Sequence, residues 1–117
     1  MTILRVGQLY GGAYEVIQHA PLALQCGLTK VQLDDMPNWR ESPLFDERQR
    51  ALMGYVDAML EKRGAVEDAT YNEFARLFSP QEIVEITVLT GFYYNNILMT
   101  NALRIERDPP GAAPGTC

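Results

Sequence analysis

The chain has 117 residues, 47% of them hydrophobic and 21% charged, with a net charge of −5. That length makes a single domain able to bury a core, and ten dispersed Lys and Arg against fifteen acids exclude a surface that tracks phosphates, so no nucleic acid is expected as a partner. No apolar run reaches the ~18 residues of a membrane span and no signal peptide leads one, so no membrane contact and a cytoplasmic location are expected; two cysteines, Cys26 and Cys117, are too few for a disulfide framework.

The first predicted element runs from Ile3 to His19 or Ala20. Wound as one helix, Arg5, Gln8, Gly12, Glu15 and His19 fall in a band roughly 80° wide. Leu4, Val6, Leu9, Tyr10, Ala13, Val16, Ile17 and Ala20 cover most of the rest. A narrow polar strip on an otherwise apolar helix is costly to bury unless its groups are paired or line a cavity. Glu15 and His19 are an i, i+4 pair whose heads can meet, and Gly12 leaves room beside them. His19, the one histidine, sits at the expected helix C-terminus, where the dipole favours imidazolium.

Pro21 is expected to kink this helix or restart it, with Leu22 to Cys26 as a short continuation stopped at Gly27. Cys26 reads as a small buried apolar residue. It lies about 10.5 Å from His19 along an unbroken helix, too far for a thiolate–imidazole pair. Thr29 caps a brief turn through Val31 to Asp34. Met36 to Pro43 is a loop carrying Trp39, which either lids a pocket or plugs the core.

Ser42 or Asp46 opens the next helix, whose apolar spacing is Leu44, Leu52, Tyr55, Val56, Met59 and Leu60. Arg63 and Gly64 close it. After a linker over Ala65–Ala69, Thr70 or Asn72 caps a short helix ending near Phe78. Ser79-Pro80-Gln81-Glu82 combines a Ser cap, Pro at the first helical position and a capping-box Glu. From Pro80 to about Arg104 nearly every face is apolar, which predicts a helix buried on most faces, with Gly91 at a close crossing. Sliding Ile3–Ala23 onto Ile83–Leu103 aligns Ile3/Ile83, Leu9/Leu89, Gly11/Gly91, Tyr14/Tyr94 and Ile17/Ile97, as two buried helices of one template would. The organisation expected is all-α: a bundle of about five helices over residues 1–106, then a flexible Pro/Gly-rich tail over 107–117.

The residues leave two roles open for Glu15 and His19: an acid–base pair lining a cavity, or a buried pair that satisfies itself. Metal binding needs at least three ligands, and nothing near His19 offers another His or paired Cys, so no metal is expected. Tyr94 and Asn95 join the candidates across the cavity, as either core aromatics with a polar edge or a binding surface.

The run ILRVGQLYGGAYEVIQHAPLALQCGL, then Trp39, then SPLFDERQRALMGYVDAML and FSPQEIVEITVLTGFYYNNILMTNAL resembles the carboxymuconolactone decarboxylase-like family, which includes the alkylhydroperoxidase D type enzymes. The likeness covers about Ile3 to Ile105. It implies an all-helical fold assembled into homo-oligomers, commonly trimers or hexamers, with the active site beside the motif helix. The family's thiol branch carries Cys-x-x-Cys with a His four residues after the second Cys. On this sequence that His matches His19, while the Cys positions fall on Gly12 and Glu15. A peroxidase cycling through an active-site disulfide lacks both sulfurs here, and the pattern resembles the cysteine-free branch, whose decarboxylases use no metal or organic cofactor. The thiol branch's relay glutamate falls before Met1, and the upstream helices of a full family domain are expected to be missing from this sequence.

The resemblance then implies a cofactor-free decarboxylase-like enzyme acting on a small carboxylated or carbonyl compound. His19 and Glu15 would be catalytic. Arg5 would hold a substrate carboxylate, and Gly12, Trp39, Tyr94 and Asn95 would line the site. Hydroperoxide reduction is the alternative activity, and a non-catalytic oligomeric ligand-binding module is the alternative class. Apolar surface on the motif helix and the Leu44–Leu60 helix is expected to be covered by another subunit.

Overall fold

The computed structural model describes residues 1–10 and 13–105, with the backbone alone over 13–18. Six α-helices make the fold of the described residues: α1 (Thr2–Tyr10), α2 (Ala13–Gln25), α3 (Lys30–Asp35), α4 (Glu47–Glu61), α5 (Asp68–Leu77) and α6 (Pro80–Ala102). A 3₁₀ turn over Met36–Asn38 follows α3, and there is no strand among the described residues. The all-α expectation holds, and the expected tail lies outside the described residues. No helix among those described is long and apolar enough to cross a membrane.

The helix expected to run unbroken from Ile3 to His19 is two helices, α1 and α2. Met1 and Ala23 pack against the same core, whereas one straight helix would hold them roughly 33 Å apart. α2 therefore folds back against α1; Gly11 and Gly12 lie outside the described residues. Pro21, expected to kink or restart the helix, lies inside α2. The sequence likeness between Ile3–Ala23 and Ile83–Leu103 therefore joins two differently shaped segments, a folded-back pair and the 23-residue α6.

Capping fixes the later starts. Thr29, Asp46 and Ser79 each accept from the backbone N–H three residues on, and Gln32, Gln49 and Glu82 close the three boxes. Of the two openings considered for α4, the box selects Asp46. Helix α5 starts earlier than Thr70 or Asn72, after Glu67, with no side-chain cap. At the end of α4, Gly64 adopts φ +86°, which lets its N–H reach the Met59 carbonyl at 2.7 Å.

α1 is the hub, packing against α2, α4, α6 and the 3₁₀ turn. Leu4 joins Leu28, Met36, Trp39, Phe45 and Met53 in one core, with Met1, Ala20 and Ala23 packed against it. Val6 joins Val56 and Ile97 in a second, flanked by Tyr10, Tyr93 and Tyr94. Through the first of these cores α2 folds back against α1. α5 lies on α4, where Phe74 stacks on Tyr55 with ring centroids 4.0 Å apart.

α6 departs from expectation. Only Thr90 and Ile97 are fully buried, and Val84, Val88, Phe92, Leu98 and Met99 are exposed. No described atom comes within 4 Å of a Cβ placed on Gly91, so the expected close crossing is not made among the described residues. Among the described residues apolar surface is exposed chiefly on α6, because α1 occupies one side of that helix and nothing described covers the other; the side chains of residues 11–18 of the motif helix lie outside the described residues.

Replacing Ser79 with Ala removes the acceptor for the Glu82 N–H at 3.2 Å and should cost about 1 kcal/mol in urea unfolding. An unchanged unfolding midpoint would mean that α6 does not depend on its cap.

Candidate active site

The residues singled out in the sequence lie in three places. The first is a buried polar cluster. Asp57 is 1% exposed, yet it accepts from Arg5 Nε at 2.6 Å and Arg5 Nη2 at 2.7 Å. Trp39 Nε1 donates to the same carboxylate at 3.1 Å, and Arg40 Nη2 at 3.3 Å. Arg5 also donates from Nη1 to Gln8 Oε1 at 3.4 Å. The guanidinium expected to hold a substrate carboxylate thus holds an internal one, and a substrate would have to displace Asp57.

Trp39 takes the core-plugging of its two roles. It is 5% exposed and packed with Leu4, Met36 and Met53. Its ring lies 3.5 Å from where a Cβ on Gly54 would stand. Arg40 lies over its face, 4.5 Å from the centroid. Arg50 fixes the loop around it by donating to the carbonyls of Trp39, Arg40 and Ser42 at 2.9, 2.9 and 3.1 Å.

The second place is the cleft where α2 folds onto α1. His19, Met1, Ile3, Leu4, Leu22, Ala23 and Cys26 line a volume of about 230 Å³. Apart from the imidazole, the side chains that line it are apolar or sulfur-bearing. His19 is half-buried and meets the Tyr93 ring edge-on, with centroids 5.6 Å apart. It lies within α2 and not at its C-terminus, so the dipole argument for imidazolium does not apply. Burial first, and then the positive charge of the chain's α-amino group, push its pKa below the usual 6.5. Glu15's side chain and Gly12 lie outside the described residues. Cys26, expected to be buried, is exposed just beyond α2.

The third place is a larger cleft of about 480 Å³ among α1, α4 and α6, lined by Tyr10, Met59, Leu60, Glu61, Arg63, Gly64, Gly91 and Tyr94. Tyr10 and Tyr94 form one wall with centroids 4.8 Å apart. Burial, then Tyr94, Glu61 and Asp57, raise the Tyr10 phenol above its ordinary value, so it stays a proton donor at neutral pH. Asn95, one residue on, is exposed, with its amide donating to Met99 Sδ at 3.4 Å. Tyr94 and His19 therefore serve different clefts.

Sequence reasoning missed Asp57, Tyr10 and Tyr93. Asp57 was legible: it stands four residues after Met53 and three before Leu60, on the apolar stripe of α4. A carboxylate there implies a buried partner.

No protein-family model matches the sequence. The uncharacterised protein YnjA of Escherichia coli (strain K12) is 31% identical over 68 residues, which is 58% of this chain and 37% of YnjA. The chain thus spans little more than a third of that curated relative. A crystallised protein of unknown function from Agrobacterium tumefaciens, provisionally named as an antioxidant defence protein AhpD, superposes with a TM-score of 0.83 at 30% identity. That match covers 92% of this chain and 75% of the Agrobacterium chain. The chain belongs to the alkylhydroperoxidase D/carboxymuconolactone decarboxylase-like superfamily.

The lowered pKa of His19 gives a signed prediction. Between the folded pKa and about 6.5 the unfolded chain binds more protons, so stability is full above pH 6.5 and falls as pH is lowered through that window. NMR titration of the single histidine should give a midpoint below 6.5 in the folded protein. A midpoint at or above 6.5 would mean that the imidazole is more solvated, or more closely paired with an anion, than this cleft allows.

Proposed function

We propose that this chain performs cofactor-free acid–base chemistry, decarboxylation or a related reaction, on a small carboxylated or carbonyl compound, with His19 moving the proton. The observation that carries this reading is the half-buried imidazole lining a cleft whose other lining side chains are apolar or sulfur-bearing. The cleft's 230 Å³ is below the ~300–1,000 Å³ of drug-sized sites, so the substrate is small.

In such a reaction the C–C bond to the carboxylate breaks, CO₂ leaves, and the electron pair passes to the substrate's carbonyl. The carbon then takes a proton, which His19 relays from solvent at the cleft mouth. Glu15 is proposed to orient the imidazole, as the i, i+4 spacing permits. Arg5 has no part in this reading while it holds Asp57.

Hydroperoxide reduction is a second reading, supported by the provisional name of the Agrobacterium protein. Against it stand Gly12 and Glu15, which have no thiol to oxidise.

The test offers carboxymuconolactone and simple β-keto acids, and separately an alkyl hydroperoxide with a thiol reductant. CO₂ release should proceed with no thiol reductant present, whereas peroxide reduction would need one. His19→Gln should lower kcat about 100-fold or more, the range for a lost general acid–base, with the fold retained by circular dichroism. Thiol-dependent peroxide consumption without CO₂ release would overturn the decarboxylase reading. Turnover in neither assay would favour a ligand-binding module.

A further inference from the structure

Cys26 stands just beyond α2, where two clefts meet. On one side is the His19 cleft of about 230 Å³. On the other, Met1, Ala23, Cys26, Gly27, Leu28 and Gln49 line a volume of about 210 Å³. Met1, Ala23 and Cys26 belong to both, so the two clefts form one groove, apolar over most of its length, with a sulfur at the join. That sulfur is not a thiol: Cys26 is in a disulfide. The chain has one other cysteine, Cys117.

We propose that residues 106–117 form a strap that Cys117 ties to Cys26 across this groove, covering the imidazole of His19 while the bond holds and uncovering it on reduction. Three features choose this occupant. The first is reach. Ile105 closes the end of α6, its N–H on the Thr100 carbonyl at 3.1 Å. The twelve residues from there to Cys117 extend to about 40 Å, which matches the molecule's longest dimension of 40 Å. The second is composition. Pro109, Pro110 and Pro114 favour an extended chain, and Gly111, Ala112, Ala113 and Gly115 are small enough to lie in a shallow groove with aliphatic walls. The third is the tie itself, which puts Pro114 and Gly115 beside a wall that Cys26 shares with His19. A tethered segment needs little affinity of its own, because the bond holds its local concentration at roughly the millimolar level.

Closing is thiol–disulfide exchange with a low-molecular-weight disulfide. The exposed Cys26 attacks it as a thiolate, expels one small thiolate and is left in a mixed disulfide. The Cys117 thiolate then attacks the Cys26 sulfur and expels the second. The two cysteines lose two electrons, the small disulfide gains them, and the cysteine protons end on the two released thiols. A dithiol reductant reverses both steps. Small substrates still pass while the bond holds, but more slowly. The strap rests on the proposed role of His19 only for this effect on turnover, so its test uses no substrate.

Wild-type protein treated with oxidised glutathione and digested without reduction should yield a cross-linked peptide pair containing Cys26 and Cys117, read by mass spectrometry. Diethyl pyrocarbonate should then modify the single histidine at least about tenfold more slowly than in Cys26→Ser/Cys117→Ser, as when the groove is open no more than a tenth of the time. Reduction with dithiothreitol, removed before the assay, should bring the wild type to the variant's rate and leave the variant unchanged. Cys26 joined to another copy's cysteine, or to none, overturns the proposal. So does a Cys26–Cys117 bond that leaves the histidine's rate unchanged, since the strap would then lie off the groove. Neither result bears on the His19 chemistry, which CO₂ release reads separately.

Discussion

Asp57 sits in the middle of α4 with its carboxylate sealed from water, a placement that costs several kcal/mol unless the charge is met. It is met on both oxygens: Arg5 from α1 takes a two-pronged grip, and Trp39 and Arg40 donate from the loop that follows the 3₁₀ turn. Three parts of the chain far apart in sequence are thus tied to one atom group. A buried ion pair adds little net stability over a well-packed apolar replacement. Its contribution here is register, because α1 can seat on α4 only where Arg5 reaches Asp57.

That register sets where the two clefts lie. Seating α1 puts Leu4 in one core and Val6 in the other, and turns Met1, Ile3 and Leu4 toward α2 as walls of the His19 cleft. The same seating brings Tyr10 onto Tyr94 and forms the larger cleft on the other side. The imidazole owes its lowered pKa to this burial first. The helix that carries His19 is therefore shaped from beneath by a residue on another helix.

The sequence made much of this fold legible. Alternation typical of strands was absent, the Thr29 cap and the Ser79 capping box marked the starts of α3 and α6, and the start of α4 was left between Ser42 and Asp46. Two features misled. Pro21 reads as the breaker, whereas it lies inside α2, and the fold-back of α2 onto α1 comes ahead of Ala13. α6 is apolar nearly all round and so read as buried. Its second face is instead exposed, at Val84, Val88, Phe92, Leu98 and Met99. As for the candidate site, His19 stood out by its residue type alone, since the polar strip it was placed in rested on one continuous helix where the structure has two. The ties of Arg5 and Trp39 were not, because their partner lies fifty-two and eighteen residues away in the chain.

The central claim is that Arg5 and Asp57 act as one unit that seats α1. A double-mutant cycle with Arg5→Met, Asp57→Leu and the pair together, read by urea unfolding, tests it most directly. Each single change should cost about 3–5 kcal/mol, since it strands the other charge in the core. The pair should cost less than their sum by about 2 kcal/mol or more, as for coupled residues. Single costs that add to within about 0.5 kcal/mol would show that the two residues contribute independently, and would contradict the account.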